Sequence, residues 1–214
     1  MSSNIRTLEW IRDAWEASGE LVRAHARPET NWNGATIDNR AECAGRIFFA
    51  LLGERVDGHR FVRAALQAGS PAAVVSDAAV ADELLREGAA HFLVRDTRRA
   101  LFELARAYRR HLGARVVAIT GSGGKTTTKE YTRAVLRAKY RVHANVGNLN
   151  SLVGVPLTVL DADENCEYLV CEVGANHLGE IDALGSLLEP DVAVITNIGD
   201  AHIGYFGSRA AIAQ

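Results

Sequence analysis

Between Thr7 and Ser18, apolar residues recur at Leu8, Ile11, Ala14 and Trp15, the spacing of one helix face, and Gly19 closes the segment. From Gly34 to Gly53 the pattern shifts to short strands, including Ala35-Thr36-Ile37 and the run Arg46-Ile47-Phe48-Phe49-Ala50-Leu51. A helix is predicted over Gly58–Ala68, with Phe61, Ala64, Ala65 and Ala68 on one face. A strand at Ala72–Val75, a helix at Ala78–Glu87 and a strand at His91–Val94 follow. Asp96 is expected to cap a long helix whose buried face is Leu101, Leu104, Ala105, Tyr108 and Leu112. Strands alternating with helices predict an α/β fold.

Around Gly113 the character changes. Arg115-Val116-Val117-Ala118-Ile119 is a nearly continuous apolar strand of the kind buried in parallel sheets, and it runs directly into a Gly-rich segment. A helix with Tyr131, Ala134, Val135 and Ala138 on one side comes next. Further on, strands at Glu167–Cys171 and Asp191–Thr196 flank a helix over Glu180–Leu188. These patterns predict two domains, residues 1–112 and 113–214, the second a mostly parallel sheet flanked by helices.

Composition narrows the classes. Hydrophobic residues make up 48% and charged residues 23% of 214 residues, which is globular rather than disordered usage. A net charge of -2 argues against broad nucleic-acid or anionic-membrane binding while leaving a local phosphate pocket open. Cys43, Cys166 and Cys171 form no CxxC pair, so reduced, buried thiols are expected rather than a disulfide framework. The charged N-terminus does not read as a signal peptide, and no run approaches the roughly 18 apolar residues that span a bilayer. A cytoplasmic protein is the expectation.

The chemistry concentrates in Thr120-Gly121-Ser122-Gly123-Gly124-Lys125-Thr126-Thr127-Thr128. Strand, Gly-rich turn, Lys-Thr and helix are the context a phosphate-binding loop requires. Gly121, Gly123 and Gly124 allow a tight turn that points N–H groups at an anion, and the following helix adds its positive end. Lys125 is placed to reach the β- and γ-phosphates, with Thr126 as the expected Mg²⁺ ligand. The strict G-x4-G-K-[ST] pattern would need glycine at 119, where Ile119 stands; the chain instead fits T-G-[ST]-x-G-K-[ST].

That variant loop is similar to the ATP site of the Mur ligases, and neighbouring segments agree. Asn148-Leu149-Asn150-Ser151-Leu152-Val153-Gly154-Val155-Pro156-Leu157-Thr158 resembles one family segment. Cys171-Glu172-Val173-Gly174-Ala175-Asn176-His177-Leu178-Gly179-Glu180-Ile181 and Thr196-Asn197-Ile198-Gly199-Asp200-Ala201-His202 resemble two more. In the first half, Thr36-Ile37-Asp38-Asn39-Arg40 resembles the family's uridine-nucleotide motif, with Asn39 where Ser or Thr is usual. Ile47–Glu54 and Asp57-Gly58-His59-Arg60-Phe61 resemble a segment of the members that join UDP-N-acetylmuramoyl-tripeptide to D-alanyl-D-alanine.

The resemblance implies a UDP-sugar-binding domain followed by the first part of an ATP-binding domain, using ATP and Mg²⁺ and working as a monomer when whole. It implies that Lys125, Glu172 and His202 are catalytic, with Thr126, Glu172 and His202 serving the metal. Gly121, Ser122, Gly123, Gly124, Lys125, Thr126, Thr127 and Asn197 would hold nucleotide. Asp38, Asn39, Arg40, Asn148 and Asn150 would hold substrate. The family has three domains, and no lysine follows Lys139 to supply its metal-bridging lysine, so no ligase turnover is expected from this 214-residue chain.

Each residue has a blander reading. Glu172 taken alone is a solvated strand-end glutamate, His202 a structural or surface histidine, and Asn197 a turn residue bonding its own backbone. Asn148 and Asn150 serve substrate or loop backbone equally well. His143 and His177 read as structural, Lys129 and Arg133 as a solvated helix face, and Trp10, Trp15 and Trp32 as core packing rather than a stacking platform. The rival functions are another Mur-type ligase such as the third-residue-adding one, a folate or cyanophycin ligase, a non-catalytic nucleotide-binding module, and a P-loop GTPase. The segment 36–61 argues against the folate and cyanophycin ligases. Ile119 and the lack of an N-K-x-D sequence argue against the GTPase.

Overall fold

The computed structural model describes residues 5–53, 56–199 and 203–213. The chain divides into two compact units, Met1–Tyr108 and Arg109–Gln214, each a mixed α/β body.

In the first unit, α1 (Leu8–Ser18) starts on the Thr7 hydroxyl, which accepts from Trp10 N, and stops at Gly19 in the left-handed conformation. The strands β1 (Leu21–His25), β2 (Ala35–Thr36), β3 (Ile47–Phe49), β4 (Ala73–Val75) and β5 (His91–Val94) form one sheet in the order β1-β5-β4-β3-β2. β2 through β5 run parallel; β1, which carries no strong apolar alternation, adds antiparallel to β5. The expected helix at Gly58–Ala68 is a 3-10 turn (Gly58–Phe61) followed by α2 (Val62–Gln67), and its buried residues are Val62 and Ala65 rather than Ala64 and Ala68. The 3-10 geometry shifts the phase, because its repeat is three residues instead of 3.6.

α3 (Ala78–Arg86) is capped by Asp77, and α4 (Thr97–His111) by Asp96, whose carboxylate accepts from the N–H groups of Arg98 and Arg99. The core holds Trp15, Phe48, Phe49, Phe92, Leu101 and Tyr108. Trp15 donates to Ala100 O at 2.8 Å, so its one polar group is satisfied. Trp10 stacks on Trp32, and the Arg6 guanidinium lies 4.4 Å from the Trp32 and Tyr108 ring centres. All three tryptophans are packing residues.

The second unit contains β6 (Arg115–Thr120), α5 (Lys125–Arg137), β7 (Val142–Ala144), α6 (Gly154–Asp161), β8 (Tyr168–Glu172), α7 (Glu180–Leu188) and β9 (Val192–Ile195). The short helices α8 (Ile203–Phe206) and α9 (Arg209–Ala213) follow. Its sheet is fully parallel in the order β7-β8-β6-β9. From β6 the chain builds toward β7 and β8 on one side and then crosses to β9 on the other. The carboxyl end of β6 is therefore a topological switch point, where open α/β sheets leave a ligand crevice.

Two expectations change in this unit. The Tyr131, Ala134, Val135 and Ala138 face of α5 is exposed, Tyr131 at 72% and Val135 at 73%. The face on the sheet carries Lys129 and Leu136, seven residues apart, with Leu136 packed on the β6–β8 core. Lys129 is 1% exposed rather than solvated. In addition, α6 is a helix that periodicity could not find, because it is buried all round from Gly154 to Leu160 and so lacks an apolar stripe. Pro156 falls in its first turn, where no N–H is needed.

His91 on β5 is fully buried, with Nδ1 donating to Ala89 O at 2.9 Å. Burial, reinforced by His25 and Arg23 and opposed by the Ala89 carbonyl and Asp82, holds its pKa below the ordinary 6.5. The unfolded chain therefore takes up a proton as pH falls through that value while the folded chain stays neutral, so stability present above it is lost on acidification. Urea unfolding between pH 7.5 and 5.5 should show this decline, at no more than about 1.4 kcal/mol per pH unit from this group, and His91→Gln should flatten it.

Candidate functional site

The Gly-rich loop leaves the carboxyl end of β6, and α5 begins at Lys125 with Gly124 as its N-cap at φ 77°. The first-turn N–H groups of α5 have no intrahelical acceptor, an arrangement that can receive an anion. Lys125 curls back so that Nζ donates to Gly121 O at 2.6 Å, leaving its other ammonium hydrogens for an anion.

The end of β9 stitches this loop into shape. Thr196 Oγ1 donates to Gly123 O at 2.6 Å and contacts Thr120 O at 3.1 Å. Asn197 accepts from Gly123 N through Oδ1 at 3.0 Å and returns a longer bond from Nδ2 to Gly123 O at 3.3 Å. Ser122 N donates to Asn197 O, and Ser122 Oγ accepts from Gly199 N at 2.8 Å. The side chains of Ser122 and Asn197 are thus engaged with the protein's own backbone. Gly121 has φ +131°, and a Cβ there would lie 2.2 Å from Thr196 Oγ1 and about 3 Å from the Asn197 backbone.

Glu172, at the end of β8, is 4% exposed and faces this loop. Its Oε2 accepts from Thr126 Oγ1 at 2.8 Å and its Oε1 from Asn150 Nδ2 at 2.9 Å. A hydroxyl and a carboxylate side by side at a phosphate loop are the hard-oxygen set that suits Mg²⁺, which keeps waters and phosphate oxygens for its remaining positions. Among the described residues no group of three or more His, Cys, Asp or Glu could hold a metal, so a self-contained protein cage is absent there. The residues present fit a cation shared with phosphate.

The other predicted residues divide. Thr127 is exposed on the first turn of α5, and Asn148 is exposed in a turn where its carbonyl accepts from Asn150 N. His202 lies outside the described residues. In the first unit, Arg40 grips Asp38 through Nε at 2.9 Å and Nη2 at 2.7 Å; this grip and the Arg40 backbone N–H hold the Asp38 carboxyl down to about 2. Arg40 is otherwise open to solvent, and Asn39 sits between the two in the loop after β2.

Asp57, His59 and Ser76 stand in the order of a hydrolase triad, with Asp57 Oδ1 at 2.6 Å from His59 Nδ1. The far nitrogen, Nε2, accepts from Ser76 N at 2.9 Å while the hydroxyl is 3.5 Å away, so the imidazole is a clamp on the turn before α3. Cys171 is buried, and burial pushes its thiol up to about 12, which removes it as a nucleophile. Sequence reasoning gave no role to Thr196 and overlooked Asn145, whose buried amide bonds the Glu172 main chain. Neither carries a signal of its own: a threonine at a strand end and an asparagine after a strand are ordinary turn residues.

Comparison with known proteins matches residues 32–109 to the Mur ligase family, catalytic domain, and residues 119–214 to the Mur ligase middle domain. The chain belongs to the Mur ligase family. A Mur ligase of Bacillus subtilis (strain 168), named UDP-N-acetylmuramoyl-tripeptide–D-alanyl-D-alanine ligase, is 48% identical over 186 residues, covering 87% of this chain and 40% of that protein. Among solved Mur ligases, MurF from Acinetobacter baumannii superposes with a TM-score of 0.82 at 36% identity, covering 95% of this chain and 44% of that one. MurF from Thermotoga maritima, solved in complex with ADP, gives 0.74 at 35% identity over 85% of this chain and 41% of that one. The chain spans about two fifths of the length of the curated relatives it matches.

The loop geometry sets a contrast between neighbouring glycines. Gly121→Ala should cost about 2 kcal/mol or more, from an unfavourable φ and a direct clash. At Gly123 a Cβ meets nothing closer than the Asn197 side chain at 3.7 Å, so Gly123→Ala should cost less than about 1 kcal/mol. Thermal or urea unfolding of the two variants side by side checks the order.

Proposed function

We propose that this chain supplies the UDP-sugar and nucleotide-phosphate sites of an ATP-dependent ligase that joins D-alanyl-D-alanine to UDP-N-acetylmuramoyl-tripeptide. The observation that carries the reading is the hydroxyl–carboxylate pair of Thr126 and Glu172, 2.8 Å apart beside the phosphate loop. The name borne by the relative at 48% identity points the same way. The reading assigns residues 1–112 to the UDP-sugar domain and 113–214 to the first part of the ATP-binding domain.

Amide formation from a carboxylate and an amine is uphill in water, so the carboxylate is first activated. A tripeptide carboxylate oxygen bonds the γ-phosphorus of ATP as the β–γ bridging bond breaks and ADP departs. The amine of D-alanyl-D-alanine then attacks the acyl carbon and loses a proton, and the C–O bond to phosphate breaks. Lys125 and the α5 N-terminus offset the charge on the terminal phosphates, and Gly121 through Thr127 set their position. Thr126, Glu172 and His202 would hold Mg²⁺, which supplies charge neutralisation on the transferring group. Asp38, Asn39 and Arg40 serve the uridine nucleotide, with Arg40 a planar donor suited to its oxygens. Asn150 orients Glu172, while Asn148 is left open for substrate and Asn197 supports the loop that holds nucleotide.

The reading places the protein in the cytoplasm, in peptidoglycan precursor synthesis and hence in cell shape and division, acting as a monomer. Two titrations of the chain test it. Lys125→Ala should weaken Mg-ATP binding by about ten-fold or more, the worth of a charge-assisted bond. Arg40→Ala should weaken UDP-N-acetylmuramoyl-tripeptide by a similar factor and leave ATP unchanged. Equal Mg-ATP affinity in the parent and Lys125→Ala overturns the proposal.

A further inference from the structure

A buried polar chain lies behind the phosphate loop. β7 and β8 pair as far as Ala144↔Val170, and there β7 leaves the sheet. At the next residue, the Asn145 side chain takes over the ladder. Its Oδ1 accepts from Glu172 N at 2.9 Å, and its Nδ2 donates to Glu172 O at 2.9 Å and Leu149 O at 3.0 Å. One amide satisfies both main-chain groups of Glu172, which buried unpaired would each carry a desolvation penalty. The Asn145 carbonyl in turn accepts from Lys129 Nζ at 2.7 Å, and that ammonium pairs with Glu130 Oε1 at 3.0 Å.

We infer that Lys129 and Asn145 are positioning residues for Glu172. They fix its main chain so that the carboxylate meets the Thr126 hydroxyl and the divalent cation held there with phosphate. The inference rests on the reading of Thr126 and Glu172 given above. An apolar residue at 129 would pack against the sheet without the desolvation penalty of burying an ammonium. The charge is instead directed at the carbonyl of the residue whose side chain holds the Glu172 main chain. Outer partners of this kind orient a ligand that they never replace.

The test is calorimetric titration of ATP, with Mg²⁺ and with EDTA, into the chain and its variants, alongside thermal unfolding. Asn145→Ala and Lys129→Met should keep ATP affinity in EDTA within about two-fold of the parent and lose about ten-fold of the enhancement given by Mg²⁺. Lys129→Arg, which keeps a long cationic donor, should restore most of it. In a Glu172→Gln background, Asn145→Ala should add less than about two-fold, because its effect passes through Glu172. Folded Asn145→Ala with the parental Mg²⁺ enhancement, or a full further loss in the Glu172→Gln background, overturns the inference. Should Asn145→Ala not fold, the contrast between Lys129→Met and Lys129→Arg decides it, equal enhancement in the two being the contrary result. No Mg²⁺ enhancement in the parent is a different failure: it removes the reading of Thr126 and Glu172, and this inference with it.

Discussion

An anion-binding loop is effective only if its N–H groups are aimed before the anion arrives, since reorganising them would consume the binding energy. The second unit meets that requirement by ending three parallel strands at one edge. β6 delivers the loop, β8 delivers Glu172, and β9 delivers Thr196 and Asn197, which bond the loop at Gly123 and Ser122. The glycine at 121 belongs to the same constraint: the loop passes so close to Thr196 that no side chain fits. Strand order, loop composition and the Thr-Asn pair are therefore one solution to one problem.

Much of this was legible because it is local. A strand–glycine–Lys-Thr–helix succession is contiguous in sequence, so its geometry follows from short-range rules, and the Asp96 cap and the α1 stripe follow in the same way. The segment around Asp38 stood out by family resemblance rather than by local pattern, and the Arg40 grip that holds the Asp38 carboxyl at about 2 needs coordinates to see.

What stayed hidden depends on partners distant in sequence. Amphipathicity marks a stripe on α5 without saying which stripe faces the sheet, and the position of β7 and β8 chose the one with Lys129 and Leu136. A lysine on a helix defaults to solvent because an ammonium is strongly hydrated, and only the Asn145 carbonyl and Glu130 reverse that default. α6 shows no period because every side of it is buried, and β1 turns Arg23 and His25 to its half-buried face and Val22 and Ala24 to its exposed one, the reverse of the usual alternation. The physics is ordinary in each case, but it acts between residues that the one-dimensional pattern keeps apart.

The departure of β7 after Ala144 links the fold to the site. Had β7 continued, its backbone would have paired with Glu172 and run past the carboxyl edge, occupying the crevice that the switch point opens. Leaving early keeps that edge clear but strips Glu172 of its ladder partner, and a buried unpaired peptide group beside a carboxylate would loosen the residue that most needs to be fixed. A side-chain amide resolves the conflict, because Asn145 presents the donor and acceptor of a peptide bond without carrying a strand behind it. The buried ammonium of Lys129 follows from that choice: an amide with no strand to hold it needs an anchor, and the anchor has to come from the helix that the phosphate loop itself begins.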